Sequence, residues 1–86
     1  MDYIKLIHTI IDPFVKDPSA IIITQVPQEN ENDLTFDIAS NSENTAHLIG
    51  KKGCVATAVR EIVSIAGKLE KKRIHLKFES FDEDEK

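Results

Sequence analysis

The sequence is short of cysteine and of long apolar runs, and each shortage excludes a class of protein. A single cysteine, Cys54, occurs in 86 residues, which rules out an internal disulfide framework and leaves too few thiolates for a zinc site. No apolar run approaches the length of a membrane span. The first residues, DYIKLIH, lack the layout of a signal peptide. We therefore expect a cytoplasmic protein.

The small size limits what the chain can do. A chain of 86 residues forms one small core and lacks the mass for both a large catalytic cavity and a scaffold around it, so a binding module is expected rather than an enzyme with a small-molecule substrate. His8, His47 and His75 fall in separate segments without metal-ligand spacing, so no metal or other cofactor is expected. We predict one domain over residues 1–80, followed by a disordered acidic tail, 81–86.

Charge is segregated along the chain, although the net charge is only −4. Residues 1–46 carry two Lys and eight acids, residues 47–77 carry eight Lys or Arg and two acids, and residues 78–86 carry one Lys and five acids. The positive segment suits an anionic ligand, since phosphates are neutralised by cations. On charge alone, ordinary solvation of a helix and a strand explains it equally well.

The apolar pattern predicts a helix at the start of the chain. Its stripe has a spacing of three and four residues: Tyr3, Ile4, Ile7, Ile10, Ile11, Phe14 and Val15. Pro13 lies inside the stripe and crowds the carbonyl four residues back, so we expect a kink or break near Asp12. Asp17-Pro18 should end the helix, because a residue before proline is driven out of the α region.

Three segments predict strands. Residues 21–26 are almost all β-branched, residues 34–39 alternate between apolar and other side chains, and residues 74–78 alternate in the same way. The first two strands are joined by the polar loop 27–33 and should form an antiparallel hairpin.

Two further helices are predicted between the second and third strands. Ser40 and Glu43 have capping-box spacing, so a short helix should run from about Asn41 to Ile49. A longer helix should run from Gly53 to about Gly67 or Leu69, with six residues facing the core: Val55, Val59, Ile62, Val63, Ala66 and Leu69. The order α-β-β-α-α-β predicts an α+β fold, in which helices pack on one face of a three-stranded mixed sheet and strands 2 and 3 are parallel.

The loop between these helices has the composition of an anion site. Two of the three glycines, Gly50 and Gly53, flank Lys51 and Lys52 directly before the longer helix. Glycine permits positive φ values and close approach of a ligand to the backbone. The first turn of the next helix adds unpaired N–H groups and a positive dipole end. The pattern therefore predicts a phosphate clamp.

Two other loop types fit less well. A nucleotide-hydrolysing P-loop needs Lys and then Ser or Thr after its second glycine, whereas Cys54 follows Gly53. A DNA-binding helix-turn-helix also joins two helices by a short turn. Its recognition helix would here begin with Val55, Ala56 and Val59, which cannot read base edges.

The stretch IASNSENTAHLIGKKGCVATAVREIV, within the order α-β-β-α-α-β, resembles K homology (KH) domains of the prokaryotic type II arrangement. It is similar in particular to the small single-domain KhpA family of bacterial RNA-binding proteins. The resemblance implies single-stranded RNA in a narrow groove, with the G-x-x-G loop holding the backbone of about four nucleotides. It also implies a post-transcriptional regulator or RNA chaperone, linked in the family to cell shape.

The resemblance assigns roles to particular residues of this chain. Residues 50–53 would clamp the sugar-phosphate backbone, and backbone groups near Ile38 would meet base edges. The full implied set is Gly50, Lys51, Lys52 and Gly53 in the clamp, Ile49, Val55, Ala56 and Val59 in the apolar floor, Ile38 on the opposite wall, and Arg60 as a further RNA contact. Relatives usually carry basic residues where this chain has His47, Cys54 and Thr57, so one domain should bind weakly.

Weak binding by one domain makes partners important. The apolar arc of the longer helix spans roughly 160° on a helical wheel, which is wider than one sheet requires. The family forms homodimers and also pairs with a larger KH-containing protein, so we expect a homodimer or such a heterodimer, in which two clamps raise affinity. The alternative function is a protein-interaction subunit whose groove has weak or lost RNA affinity.

Overall fold

A computed structural model describes residues 2–81 of the chain. The elements are α1 (Tyr3–Ile11), β1 (Ile22–Val26), β2 (Asp33–Ser40), α2 (Ser42–Ile49), α3 (Cys54–Leu69) and β3 (Arg73–Ser80). The predicted order α-β-β-α-α-β is therefore confirmed. The predicted acidic tail lies outside the described residues except for Phe81, whose N–H donates to the Ser40 carbonyl. Within residues 2–81, no helix is long and apolar enough to cross a membrane.

The sheet has the order β1-β2-β3 and is mixed, as predicted. β1 and β2 form the antiparallel hairpin, in which Ile22 is opposite Ala39. β2 and β3 run parallel from the Asp33 and Arg73 pair to the Ser40 and Ser80 pair. The central strand is thus β2, and the free edges belong to β1 and β3.

The core lies between the three helices and one face of the sheet. Ile7 and Ile11 of α1, Val63 of α3, and Phe36 and Ile38 of β2 are each 2% exposed or less. Burying an aliphatic or aromatic side chain of this size stabilises the fold by about 1.5–3 kcal/mol. These contacts fix α3 against the sheet.

The first helix ends earlier than predicted. α1 stops at Ile11, and Asp12–Phe14 forms a 3₁₀ turn that contains Pro13. The expected break near Asp12 is confirmed, because Pro13 has no N–H to continue the helix. The predicted end at Asp17-Pro18 is wrong, and Phe14 is 49% exposed rather than buried on the stripe.

The cap of α2 is Asn41 and not Ser40. The Asn41 side chain accepts a hydrogen bond from the Asn44 N–H at 2.8 Å. Ser40 is the last residue of β2 and is fully buried, so its backbone belongs to the sheet. The predicted capping box is therefore wrong: the N-cap lies one residue later, and the side chain at the N3 position, Asn44, donates to Asp17 and Ser40 instead of accepting from the N-cap N–H.

The buried face of α3 is narrower than predicted. Val59 and Val63 are buried and Val55 and Ala66 are half-buried, as expected for core positions. Ile62 is 47% exposed and Leu69 is 79% exposed, so their assignment to the core is wrong. Both lie on a side of α3 that the sheet does not cover.

Candidate nucleic-acid interface

The loop Gly50–Gly53 between α2 and α3 turns through three residues with positive φ. Gly50 has φ 77° and ψ 176°, Lys52 has φ 56°, and Gly53 has φ 79°. The Gly50 N–H donates to the Ala46 carbonyl and ends α2, and the Gly53 N–H donates to the Gly50 carbonyl at 3.1 Å. Lys52 adopts the left-handed region without being glycine, which costs a residue with a side chain about 1–2 kcal/mol.

Gly50 is required by space as well as by backbone angle. A Cβ atom at this position would lie 2.5 Å from Cγ2 of Val55 and 2.9 Å from its backbone N. The loop is thus folded tightly onto the first turn of α3. Its outer side carries the two lysines.

The loop presents unpaired donors and unpaired charge together. The backbone N–H groups of Lys51 and Lys52 donate to no backbone carbonyl among residues 2–81. Both side chains are exposed, and neither has a hydrogen bond or ion pair within that range. The N-terminus of α3 adds the positive end of its dipole. The arrangement is suited to an anion.

Buried polar side chains set the position of α2, and hence of the loop. The Asn44 side-chain amide donates to the Asp17 carbonyl at 3.0 Å and to the Ser40 hydroxyl at 2.9 Å. The Thr45 hydroxyl donates to the Glu79 carbonyl at 3.1 Å. Sequence reasoning missed this network, because polar residues in a helix usually face solvent.

The edge of β3 lies beside α3. Arg60 extends from α3 to this edge, where its Nε and Nη2 atoms each lie 3.4 Å from the Leu76 carbonyl oxygen. Its guanidinium carbon is 5.3 Å from the ring centroid of Phe78, a cation–π distance. One side chain thus joins the helix to the edge strand.

The structure divides the predicted site residues into an outer and an inner group. Residues 50–53, Ile49 and Arg60 are accessible, and Val55 is half-buried. Ala56 and Val59 are 4% and 1% exposed, so they lie in the core beneath the surface.

Ile38 is not at a free strand edge. Its side chain is 1% exposed, and its neighbours Ile23 and Phe78 lie on the two flanking strands. Backbone groups near Ile38 are therefore occupied by the sheet. The unpaired edge beside α3 belongs to β3 instead, which sequence alone did not indicate.

Two adjoining cavities continue along α3 away from the loop. One of about 340 Å³ is lined by Arg60, Glu61, Ser64, Ile65 and Lys68. The other, of about 230 Å³, is lined by Ser64, Lys68, Lys72, Arg73, Ile74 and His75. Apart from Arg60, sequence reasoning did not assign these residues to a site, although the cationic excess of residues 47–77 includes four of the lining residues.

The C-terminal end of α3 is tied to α1. The Tyr3 hydroxyl donates to Oε1 of Glu70, the residue that follows α3. Burial raises the pKa of Tyr3 to about 12, and the hydrogen bond and charge of Glu70 act in the same direction. The same hydrogen bond lowers the pKa of Glu70.

Among residues 2–81, no three His, Cys, Asp or Glu side chains are grouped as metal ligands.

Sequence comparison places these features in a known family. The family model described as the KH domain of KhpA and KhpB matches residues 4–78. RNA-binding protein KhpA of Listeria monocytogenes is 35% identical over 72 residues, which are 84% of this chain and 92% of that protein. The KhpA protein of Listeria innocua matches with the same identity and coverage.

Structural comparison agrees on the fold. A variant of Aquifex aeolicus Era bound to GDP and aluminium fluoride superposes with a TM-score of 0.67 and 17% identity, over 94% of this chain and 31% of the Era chain. Era in complex with a GTP analogue, magnesium and nucleotides 1506–1542 of 16S ribosomal RNA gives 0.61 and 18%, over 91% and 29%. The chain spans about a third of Era, and the likeness concerns the fold alone. With its α-β-β-α-α-β order, mixed sheet and G-x-x-G loop, the chain has the type II KH fold and belongs to the KhpA/KhpB family of KH domains.

Proposed function

We propose that the protein binds single-stranded RNA along the surface formed by the Gly50–Gly53 loop, α3 and the edge of β3. The observation that carries this proposal is the loop itself, where the free N–H groups of Lys51 and Lys52 accompany two unpaired ammonium groups. Relatives that are 35% identical bear the name RNA-binding protein KhpA. The proposed activity is binding, and it requires no proton transfer or covalent step.

The phosphate side of the site is the loop. Backbone N–H groups hold a phosphate oxygen at a fixed place, while the lysine side chains supply charge and adapt to the path of the strand. A Cβ atom at Gly53 would lie in open space, so the absence of a side chain at this position leaves the backbone accessible to a ligand. Residues 50–53 therefore grip the sugar-phosphate backbone without reading sequence.

The base side of the site is apolar at the helix and polar at the strand edge. Ile49 and Val55 provide surface on which base rings lie, while Ala56 and Val59 support them from the core. The free edge of β3 offers backbone donors and acceptors to base edges. This gives β3 the role that the sequence assigned to the strand containing Ile38.

Arg60 lies between the phosphate side and the base side of the proposed site. In the free protein its guanidinium lies over Phe78 and near the Leu76 carbonyl, at 3.4 Å. Hydrogen bonds of this length are weak, so a base can displace them and stack on the guanidinium plane. Arg60 thus covers the β3 edge until RNA arrives.

An exposed apolar stripe on α3 supports assembly with a second KH domain. Ile62, Ile65 and Leu69 are 47%, 60% and 79% exposed. Pairing through this stripe, in a homodimer or with a larger KH-containing protein, would place two clamps on one strand and raise the apparent affinity. In the cell, such an assembly would serve as a post-transcriptional regulator or RNA chaperone.

The clamp is tested by reversing its two charges. Fluorescence polarisation with a labelled four-nucleotide RNA compares the wild type with the Lys51→Asp/Lys52→Asp variant. We expect the variant to lose at least tenfold in affinity, because attraction to phosphate is replaced by repulsion. The charge-matched control is Lys5→Asp/Lys16→Asp, since Lys5 is exposed on α1 and Lys16 pairs with Glu43, and neither belongs to the loop, α3 or β3. Equal RNA binding by a folded clamp variant would refute the proposal.

The same exposed stripe favours a second candidate function, a protein-interaction subunit with little RNA affinity. That function predicts that the wild type binds no RNA in the polarisation assay, yet forms a stable complex with a second KH domain. The first function is supported if the wild type binds RNA and the variant with substituted clamp lysines does not.

A further inference from the structure

Four cations surround the C-terminal end of α3: Lys68, Lys71, Lys72 and Arg73. Within residues 2–81, Arg73 has a carboxylate partner, with its Nε and Nη2 atoms 2.7 and 3.2 Å from Asp33. The Lys72 ammonium donates to the neutral carbonyl of Glu31 at 3.0 Å. Lys68 has no hydrogen bond or ion pair in this range. The intervening acid, Glu70, accepts from the neutral Tyr3 hydroxyl and remains a carboxylate, which also interacts with Lys72. Asp33 and Glu70 therefore offset part of the charge of the four cations, and the end of the helix keeps a net positive charge.

A cavity opens among these cations. Its volume is about 230 Å³, and its walls come from α3 through Ser64 and Lys68, from the turn through Lys72, and from β3 through residues 73–75. Sites for drug-sized ligands begin at roughly 300 Å³, so this cavity suits a smaller group such as a sugar-phosphate unit. Ser64 adds a hydroxyl and Ile74 an apolar wall.

More cations lie at the end of α3 than a favourable interaction with the helix dipole requires. A lysine in the last turn, such as Lys68, stabilises the negative end of a helix on its own. Lys72 and Arg73 lie beyond the helix, however, and line the same cavity as Lys68. The helix dipole requires neither a cavity nor convergence of cations from the adjacent strand.

The cavity is continuous with the proposed RNA site but distant from its loop. Ser64 and Lys68 also line the larger cavity beside Arg60, so the two cavities adjoin along α3. From Cys54 to Lys68 the helix rises about 21 Å, at 1.5 Å per residue. A KH loop clamps the backbone of four nucleotides, so the cavity at the far end of the helix lies where a longer strand continues.

We propose that this cavity is a second phosphate-binding position, which holds the backbone of RNA strands longer than about four nucleotides. The inference rests on the proposed function and assigns it a substrate length. Lys68 and Lys72 supply the charge, and the Ser64 hydroxyl donates to a phosphate oxygen. The binding surface then extends from the Gly50–Gly53 loop along the side of α3 that carries Arg60, Ser64 and Lys68.

The test compares two RNA lengths. Fluorescence polarisation of labelled four- and ten-nucleotide uridine oligomers is measured for the wild type, the Lys68→Gln/Lys72→Gln variant and the charge-matched Lys5→Gln/Lys16→Gln control. Each phosphate contact in a single strand contributes about 0.7 to the salt slope, or about fivefold in affinity at 0.1 M salt. We expect the Lys68→Gln/Lys72→Gln variant to lose at least fivefold for the long RNA and to show a shallower salt slope, with binding of the short RNA unchanged.

Each other outcome overturns the inference in a distinguishable way. Equal affinity of the wild type for both lengths rules out a second position, as does an equal loss for both lengths in the variant. An equal loss in the control would show that net charge alone is responsible. Absence of wild-type binding to either RNA would instead contradict the proposed function. Thermal unfolding of each variant confirms that the domain remains folded.

Discussion

Gly50 and Gly53 are both glycines at positive φ, but they meet different demands. Gly50 combines φ 77° with ψ 176°, a region that glycine alone occupies, and a side chain there would collide with Val55. Gly53 has φ 79° and ψ 14°, and a Cβ atom there would meet nothing within 4 Å. Asparagine tolerates the latter conformation but not the former.

We therefore expect Gly50→Asn to lower the free energy of unfolding by about 2–4 kcal/mol, and Gly53→Asn by about 1 kcal/mol or less. Urea unfolding followed by circular dichroism measures both. Equal losses at the two positions would contradict the difference in backbone and space that separates them.

Tyr3 makes the free energy of unfolding depend on pH in the alkaline range. Because burial raises the pKa of this phenol from 10 to about 12, the folded protein holds the proton more tightly than the unfolded chain. The resulting stabilisation is complete below pH 10 and is lost as pH rises through about 12.

The chain contains one tyrosine and no tryptophan, so the near-ultraviolet absorbance of phenolate reports Tyr3 alone. We expect a titration midpoint near 12 in the folded protein and near 10 in denaturant. Glu70→Gln should remove only part of the difference, since burial is the largest cause. A folded-state midpoint near 10 would show that the phenol is not buried.

At the scale of elements, α3 carries two apolar surfaces that the sequence presents as one. Buried positions recur at Ala56, Val59 and Val63, and a second stripe with similar spacing contains Ile62, Ile65 and Leu69. Both obey helical periodicity, so the pattern predicts the helix without telling which stripe faces the sheet. The wide apolar arc of this helix correctly indicated more apolar surface than the sheet covers. The prediction that Ile62 and Leu69 face the core was wrong, because both are exposed.

The exposed stripe predicts an effect on assembly without an effect on folding. We expect Ile62→Lys/Leu69→Lys to remain as stable as the wild type within about 1 kcal/mol, because surface substitutions rarely change stability by more than about 0.5 kcal/mol each. The wild type should sediment as a dimer at micromolar concentration and the variant as a monomer. Thr57→Lys, on another face of α3, serves as the control. A wild type that is monomeric at every concentration would remove the basis for pairing through this stripe.

Local sequence signals predicted which helices and strands form. The residues at which they begin and end also depend on contacts with residues that are distant in sequence. Pro13 indicated the break after α1, since its effect depends only on adjacent backbone. The cap of α2 was placed one residue early because Ser40 belongs to β2 and pairs there with Ser80 of β3, a partner distant in sequence from the helix. The free edge of β3 depends on strand order, which alternation of side chains does not encode. The Gly50–Gly53 loop was predictable because its signal is local: the glycine pair, the two lysines between them and the helix that follows directly.

At the scale of the whole molecule, charge is separated into an acidic and a basic part. The segment 47–77 forms the loop, α3 and most of β3, and it carries six more cations than acids. A surface of one sign raises the rate of encounter with a polymer of the opposite sign, and salt screens this attraction.

Affinity for a four-nucleotide RNA should therefore fall with salt, although the protein is acidic overall. With two or three phosphates held at the loop, the slope of log affinity against log salt concentration is expected to be about −1.4 to −2.1. Polarisation titrations between 0.05 and 0.5 M potassium chloride, about one decade of concentration, measure it. A slope near zero would mean that phosphate contributes little to binding.

The parallel pairing of β2 with β3 has a consequence for the order in which the protein matures. It joins residues 40 positions apart, such as Asp33 and Arg73. The two ends of a long chain segment must therefore come together before the strand pair forms. The strand edge that faces Arg60 belongs to the later partner of that pair. A nascent chain still lacking β3 lacks one wall of the proposed RNA site, so we expect that site to be complete only when the last strand docks.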